Sequence, residues 1–172
     1  MTVDPSRSHR LENDPVNPCI GSGPNNPRGL RLEFRRDGKR VETELFADET
    51  LEGWPERLHS GVLYLAMLDV ANWTVYGLHD RVGLPVQTSA LTLLRWVPTG
   101  TRLRLVGIEN SETTDLTIQV EAQDEHGPVA RLDRSYVLAS RAEFERRLGY
   151  KRLPEVLREV VPDEGSPPTE RR

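Results

Sequence analysis

The segment 53–69 holds the side chains most suited to chemistry. Its loop ends at His59, Ser60 and Gly61, and an apolar run follows that contains one acid, Asp69. Small residues at the start of a helix leave backbone N–H groups accessible, and the positive end of the helix dipole favours an oxyanion beside them. The spacing therefore predicts a site at residues 60 and 61 that stabilises the oxyanion of an acyl-transfer reaction.

Two carboxylates are candidates for activating water at this site. Asp69 lies in an apolar run, where an acid costs free energy unless it is paired or protonated, so we expect either catalysis or a hydrogen bond. Asn72, three residues later, is a suitable hydrogen-bond partner on the same helix face. Glu56, in the loop before His59, is the second candidate carboxylate.

Several of these residues also have a purely structural interpretation. Ser60 and Gly61 alternatively form a plain helix cap, and His59 a hydrogen bond to a loop carbonyl. Tyr64 and Trp73 are candidates for the core or for the wall of an acyl tunnel. Both interpretations remain open at the level of sequence.

Two further groups of residues lie outside the helix. Trp54 is interpreted as an anchor of its own loop, which precedes the helix. Arg95, Arg102 and Arg104 carry the charge needed to meet the phosphates of coenzyme A. Arginines that alternate with leucines on a strand usually form its solvated face, which is the alternative for these three.

Hydrophobic periodicity predicts the elements that position these side chains. Alternation over 30–35, a turn at Asp37-Gly38 and an apolar series from Val41 predict a hairpin. Residues 60–77 are apolar on nearly all sides, which predicts an enclosed helix that ends near Gly77. Further strands are predicted at 86–97, 103–105, 116–122 and 130–138, and short helical segments at 142–148 and 154–160. This order predicts an α+β fold in which an antiparallel sheet wraps around one long central helix.

Composition limits the class of protein. The 172 residues carry a net charge of −4 with no basic block, which argues against nucleic acid and anionic membranes as partners. Cys19 is the only cysteine, which excludes an internal disulfide and fits a reducing cytoplasm. Because no apolar run has the length of a membrane span, we expect a soluble cytoplasmic protein, and the excess of arginine over lysine suggests a GC-rich bacterial genome. One domain at 18–160, flanked by disordered tails at 1–17 and 161–172, is predicted.

Several motifs in this order resemble the hotdog-fold superfamily, and most closely the acyl-CoA thioesterases of the phenylacetate-degradation and 4-hydroxybenzoyl-CoA type. The resemblance covers about residues 19–139. It rests on the segment Cys19-Ile20-Gly21-Ser22-Gly23-Pro24-Asn25-Asn26-Pro27-Arg28-Gly29-Leu30, on Trp54-Pro55, on His59-Ser60-Gly61, on Trp73, on Thr88 and on Pro98-Thr99-Gly100.

The resemblance implies roles for particular residues. The backbone N–H of Ser60 matches the donor to the thioester oxygen, and His59 matches a histidine that steadies the loop. Thr88 matches a side chain that reaches the site from the partner subunit, so a homodimer or a dimer of dimers is implied. The family's usual catalytic acid falls at Leu68 here, and Asp69 is displaced from that position by about 100° around the helix.

The family's amino-terminal motif often has a second cysteine where this chain has Ser22, so a zinc pair is not expected. No cofactor is expected. The candidate catalytic residues are Asp69, Ser60, Gly61, His59 and Thr88. The candidate substrate-binding residues are Trp54, Glu56, Tyr64, Leu68, Asn72, Trp73 and Arg95.

The predicted function is hydrolysis of an acyl thioester of coenzyme A or of a carrier protein. The carbonyl would lie on the Ser60 amide, and Asp69 or Glu56 would activate a water held by Thr88. The alternative is a protein that binds acyl-CoA without cleaving it, which Leu68 at the usual acid position favours. A dehydratase or hydratase that uses His59 for proton transfer ranks third.

Overall fold

The computed structural model describes residues 8–110 and 115–163, which form an antiparallel sheet and one long helix. The strands are β1 (His9–Arg10), β2 (Arg35–Asp37), β3 (Arg40–Phe46), β4 (Glu52–Trp54), β5 (Arg57–Leu58), β6 (Leu84–Thr88), β7 (Thr92–Leu93), β8 (Arg102–Glu109), β9 (Leu116–Asp124) and β10 (Gly127–Val137). The helices are a 3₁₀ turn (Glu49–Leu51), α1 (Ser60–His79), α2 (Arg141–Leu148) and α3 (Glu155–Arg158). The predicted α+β class is confirmed.

The main sheet has the strand order β1-β2-β3-β8-β9-β10-β6, and β7 also pairs with β10. All of its pairings are antiparallel. Strand β4 pairs only with β5, in a separate hairpin immediately before α1. This hairpin is attached to the segment after β7, because Leu58 N donates to Val97 O at 2.9 Å and Thr99 N to Glu56 O at 3.1 Å.

Helix α1 packs against one face of the sheet. Leu103 and Leu105 of β8 are buried beneath it, whereas Arg102 and Arg104 alternate with them on the outer face. A β-carbon at Gly107 would lie 2.1 Å from Thr74 Oγ1, so the absence of a side chain there lets the helix approach β8. The apolar series of α1 thus meets the sheet as the alternation in sequence predicts.

The first predicted strand differs from the structure in its hydrogen bonds. Leu32 and Phe34 are buried and alternate with exposed residues, as expected. The ladder with β3 nevertheless starts only at Arg35, because the preceding residues bond to the loop around Cys19 instead. Leu30 N donates to Ile20 O at 2.9 Å, and the next such bond runs from residue 32 to Gly21 at 3.0 Å.

The strand predicted at 86–97 is divided into β6 and β7. Strand β6 pairs with Arg134–Val137 of β10, and β7 pairs with Ala130 and Arg131, so the two short strands are separated opposite residues 132 and 133. Between them, Ser89 bonds to the backbone of β10 at Asp133. Helix α1 likewise runs two residues past Gly77, because Asp80 adopts the left-handed conformation that ends it.

The described parts of both predicted tails contact the domain. His9 and Arg10 form β1 against β2, and Asn13 donates from its side chain to Ser22 O at 2.6 Å. Near the other end, Val161 is fully buried in a small second cluster with Phe144. The rest of the two tails, at 1–7 and 164–172, lies outside the described residues.

Within the described ranges, no helix is long and apolar enough to cross a membrane.

Candidate functional site

The start of α1 is built around the backbone of His59. This residue is the N-cap, and its Nδ1 accepts a hydrogen bond from Gly61 N at 2.9 Å. Its carbonyl oxygen accepts from Val62 N at 3.0 Å and Leu63 N at 3.2 Å. The Gly61 amide was predicted to help stabilise an oxyanion, but it is already used by the His59 ring, so this prediction is corrected.

The amide of Ser60 differs from its neighbours. Ser60 is the first residue of α1, it is half-buried, and its N–H has no hydrogen-bond partner among the described residues. His59 and Gly61 on either side are exposed. The Ser60 N–H thus lacks an acceptor among the described residues at the positive end of a 20-residue helix, a position that favours an oxygen atom of a ligand.

The β4–β5 hairpin packs against His59 at the start of α1. A β-carbon at Gly53 would lie 2.7 Å from Cδ2 of His59, so glycine lets the imidazole lie against the hairpin. Glu56 occupies the turn with a φ of 60°, and its side chain is exposed. Trp54 is 68% exposed, so it does not anchor the loop by burial as predicted.

Asp69 and Ser60 are not brought together within one chain. Nine residues along a helix correspond to about 13 Å and to half a revolution, so the two residues lie on opposite sides of α1. The Asp69 side chain is only 6% exposed. Its Oδ1 accepts from the Cys19 thiol at 3.6 Å, and its Oδ2 is buried with no partner among the described residues.

Burial raises the pKa of Asp69 above its ordinary value, because the carboxylate loses its hydration. Contacts with Ser22, Cys19 and Asn72 and the charge of Arg134 oppose this shift but do not cancel it. Asp69 thus occupies a site that favours its neutral form.

A cavity of about 240 Å³ adjoins Asp69 on the side of α1 that faces the amino-terminal loop. We refer to it as the Asp69 cavity. It is lined by Glu12, Asn13, Asp14, Asn17, Cys19, Ser22, Asp69, Asn72, Trp73, Tyr76, Val82, Leu157 and Val160. Trp73 contacts both the amino-terminal loop and the core, because its Nε1 donates to Ser22 Oγ at 3.0 Å and its ring stacks on Phe34 with centroids 4.9 Å apart.

Asn72 connects α1 with β10. Its Oδ1 accepts from Tyr136 Oη at 2.9 Å and from Arg134 Nη1 at 3.2 Å. The Arg134 guanidinium also donates to Leu68 O at 3.3 Å, and burial raises the pKa of Tyr136. Neither Arg134 nor Tyr136 is among the site residues predicted from the sequence, because the alternation of β10 indicates the face of a side chain but not its contact with Asn72 of α1.

Leu68 and Thr88 both lie near this cluster. Leu68 is half-buried, and Thr88 of β6 is the register partner of Arg134. The positions that resemble a catalytic acid and a water-holding hydroxyl are therefore each next to Arg134 in one chain. Tyr64 is half-buried and packs at the edge of the core, as one of its two interpretations predicts.

The side chain of Arg95 is hydrogen-bonded to other residues of the chain. Its guanidinium forms two hydrogen bonds to the carboxylate of Asp124 and donates to Gly127 O at 2.7 Å and Pro128 O at 3.2 Å. These contacts use its donors, so the prediction that Arg95 meets a substrate phosphate is corrected.

The outer-face arginines follow their structural interpretation. Arg102 pairs with Glu44 and Arg104 with Glu42 across the exposed face of the sheet. Among the described residues, no group of three or more His, Cys, Asp or Glu side chains is placed to hold a metal ion.

Comparison with known proteins yields structural relatives. No family model matches the chain, and no curated protein matches it in sequence. A solved thioesterase superfamily protein superposes with a TM-score of 0.61 and 19% identity over 72% of this chain, which spans 60% of that protein's length. AziG from S. sahachiroi gives a TM-score of 0.53 and 25% identity, with 62% of this chain and 90% of AziG covered.

A hypothetical thioesterase from Streptococcus pneumoniae TIGR4, crystallised with coenzyme A, gives a TM-score of 0.51 and 14% identity. That match covers 58% of this chain and 79% of the streptococcal protein. The shared architecture is the antiparallel sheet with one long helix packed on it. The chain therefore has the hotdog fold.

Proposed function

We propose that the protein acts on an acyl thioester whose carbonyl oxygen accepts a hydrogen bond from the Ser60 amide. The observation that carries this proposal is the N–H of Ser60 at the first position of α1, for which the described part of the chain provides no acceptor. An oxyanion that develops there is stabilised by the N–H and by the helix dipole together. The coenzyme A in the streptococcal structure supports coenzyme A as the thiol.

Hydrolysis also requires a group that activates water. Glu56 is the acid nearest to Ser60 in sequence, and its side chain is exposed in the turn before His59. Asp69 lies on the opposite side of α1 with its carboxylate against Cys19. We therefore assign the role of general base to Glu56 and not to Asp69 of the same chain.

A second copy of the chain fits the free edge of the sheet. Among the strands that the structure describes, β6 pairs with β10 alone, and an unpaired edge strand is a template for another strand. Val86 of β6 is an exposed apolar side chain, as are Leu94 and Trp96 in the segment that follows β7. Pairing of two β6 strands would form a homodimer and would bring Thr88 close to the partner subunit.

The donor is tested by a substitution that removes the amide hydrogen atom of residue 60. Proline is well tolerated at the first helical position, and His59, with φ −64° and ψ 123°, already has the extended conformation that must precede a proline. Ser60→Pro thus deletes the N–H while α1 is retained, and Ser60→Ala is the matched control that keeps it. We expect Ser60→Pro to lower kcat/KM on a panel of acyl-CoA esters about 100-fold and Ser60→Ala to change it less than about threefold.

Equal rates for the two variants would contradict the role of the Ser60 amide. Glu56→Gln and Asp69→Asn then separate the two carboxylates, and loss of turnover only in Asp69→Asn would contradict the assignment of Glu56. Circular dichroism of each variant checks that α1 is intact.

Binding without hydrolysis is the second candidate function. The observation in its favour is Leu68, an apolar side chain at the position that resembles the catalytic acid. This function predicts saturable binding of acyl-CoA that Ser60→Pro weakens, with no release of free thiol by the wild type. Thiol release by the wild type would exclude it, and absence of both binding and turnover would refute the thioester proposal as a whole.

A further inference from the structure

Arg134 carries a positive charge that the described part of the chain does not neutralise. Its Nη1 donates to Leu68 O at 3.3 Å and to Asn72 Oδ1 at 3.2 Å, and both acceptors are uncharged. No carboxylate of the described residues forms an ion pair with it. Burial raises the pKa of Asp69 more than the charge of Arg134 lowers it, so that acid favours its neutral form. A half-buried guanidinium without a counterion favours an anion beside it.

One end of this guanidinium is open to a ligand. Its Nη2 has no hydrogen-bond partner among the described residues and reaches the surface, whereas its Nε is buried. The bonds of Nη1 fix the orientation of the group, and so does the ring of Tyr136, whose centroid lies 5.5 Å from the guanidinium carbon. The donors of Nη2 are therefore held in place before a ligand binds, which lowers the entropic cost of binding.

Thr88 places a hydroxyl group next to Arg134. The two residues are register partners in β6 and β10, so their side chains lie on the same face of the sheet. This is the face that packs on α1, because Arg134 bonds to residues of that helix. A carboxylate has acceptor sites for both donors, so one bound here can accept from Nη2 and from the hydroxyl group together.

An apolar strip on α1 connects this position with Ser60. We define the α1 strip as Gly61, Tyr64, Leu65 and Leu68, which lie three or four residues apart and so share one side of the helix. Each of them is exposed or half-buried, whereas the core-facing side of α1 is buried. A hydrocarbon chain that lies on the α1 strip removes this apolar surface from water, which favours the bound state.

The length of the α1 strip limits the length of such a chain. Eight residues of helix separate Ser60 from Leu68, which corresponds to a rise of about 12 Å. An extended chain advances about 1.2 Å per bond, because the three backbone bonds of a residue span about 3.6 Å. About ten bonds therefore join a carbonyl group on the Ser60 amide to a carboxylate on Arg134.

We propose that the acyl group of the substrate ends in a carboxylate, which binds Arg134 Nη2 and the Thr88 hydroxyl while its hydrocarbon part lies on the α1 strip. The substrate class is thus a monothioester of a dicarboxylic acid with about ten carbons. This inference rests on the function proposed for Ser60 and adds recognition of the far end of the substrate. Arg134 determines specificity in this arrangement and takes no part in the cleavage.

Isothermal titration calorimetry of the full chain with ketone analogues of acyl-CoA tests the proposal. In these analogues a methylene group replaces the thioester sulfur, so the carbonyl is kept and hydrolysis is not possible. Each pair differs only at the end of its acyl chain, which carries a carboxylate or a methyl group, and pairs of four and ten carbons are compared. We expect the ten-carbon carboxylate to bind at least about tenfold more tightly than its methyl partner, because it forms charge-assisted hydrogen bonds. The two four-carbon analogues should bind equally.

Four variants locate the bound carboxylate. Arg134→Gln keeps an amide donor but removes the charge, and should reduce the preference to less than about threefold. Arg134→Lys keeps the charge and should retain part of the preference. Arg131→Gln, on the outer face of the same strand, is the matched control and should bind both analogues like the wild type. Thr88→Val removes the second donor and should lower the preference severalfold, and it replaces Arg134→Gln if that variant does not fold.

The possible outcomes distinguish this inference from the thioester function itself. Equal binding of the ten-carbon pair by the wild type would overturn the inference, whereas turnover of methyl-ended acyl-CoA esters would still support the role of Ser60. A preference that persists in Arg134→Gln and Thr88→Val would place the carboxylate elsewhere, and a preference confined to the four-carbon pair would contradict the path along α1. Absence of binding by every analogue would also overturn the inference, and absence of turnover of every ester would overturn the thioester function.

Discussion

The α-carbon of Gly21 lies against the carboxylate of Asp69. A β-carbon at residue 21 would be 2.4 Å from Oδ2 and 2.7 Å from Cγ of that side chain. We expect Gly21→Ala to lower the free energy of unfolding by about 1–3 kcal/mol, because either the loop or the buried acid must move. Urea denaturation followed by tryptophan fluorescence measures this change.

A double-mutant cycle tests the cause of this destabilisation. Asp69→Ala removes the two closest atoms, so Gly21→Ala should cost at least about 1 kcal/mol less in that background than in the wild type. Additive effects of the two substitutions would show that the contact does not limit residue 21.

The His59 side chain is predicted to stabilise α1 as an N-cap. His59→Ala removes the acceptor for Gly61 N, and we expect it to lower the free energy of unfolding by about 1 kcal/mol. His59→Asn supplies another acceptor at the same position and should restore stability to within a few tenths of a kcal/mol. Equal stability of the alanine and asparagine variants would show that the ring nitrogen contributes nothing to the helix.

The Arg95–Asp124 pair predicts a loss of stability in acid. The guanidinium of Arg95 lowers the pKa of Asp124 from 3.8 to about 2. The folded state therefore holds this proton more weakly than the unfolded chain, so the stabilisation is complete above pH 3.8 and is lost as the pH falls toward 2. We expect Asp124→Asn to cost about 1–2 kcal/mol at pH 7, a figure that allows for screening by solvent, and much less near pH 2.

Glu44→Gln is the control for this pair. Glu44 and Arg102 are both about two-thirds exposed, so their ion pair should contribute less than about 0.5 kcal/mol at any pH. Denaturation curves at several pH values distinguish the two pairs. A cost of Asp124→Asn that does not change between pH 7 and pH 2 would contradict the linkage.

The burial of Asp69 predicts the opposite dependence on pH. Its raised pKa means that the folded state holds the proton more tightly than the unfolded chain. The stabilisation that this proton provides is thus complete below about pH 3.8, the ordinary pKa of the side chain. It is lost as the pH rises through the raised pKa of the folded state. Cys19 and the charge of Arg134 act on the same carboxylate, and both favour its ionised form.

Asp69→Asn cannot ionise, so its unfolding free energy relative to the wild type should increase between pH 3 and pH 8. Urea denaturation of both proteins across this range measures the difference. A constant difference would mean that Asp69 has the same proton affinity in the folded and unfolded chains.

The sequence predicted the parts of the fold that depend on local pattern. Alternation placed Leu103 and Leu105 in the core, and the continuous apolar run predicted the enclosed helix α1. The division of the strand at 86–97 was not predictable, because it depends on which residues of β10, some 40 positions later, pair with each part. Local patterns carry no information about the register of a distant partner.

The candidate site was predictable only in part. The exposed start of α1 follows from the small residues Ser60 and Gly61. The hydrogen bond from Gly61 N to His59 Nδ1 instead depends on the rotamer of the His59 side chain, which the sequence does not indicate. Cys19 and Asp69 are in contact although they lie 50 positions apart in sequence. The signal in the sequence that bears on this contact is the amino-terminal motif that resembles the hotdog thioesterases. The partner of Arg95 was not predictable either, because Asp124 lies in β9, far away in sequence.

The strand order has a consequence for the folding of the chain. Strands β8, β9 and β10 follow each other along the sequence and pair as neighbours, so their loops close at low entropic cost. The pairing of β3 with β8 instead closes a long loop that includes all of α1. We therefore expect the meander of β8, β9 and β10 to form early in the folding reaction. The pairing of β3 with β8, which closes the loop that contains α1, should limit the folding rate.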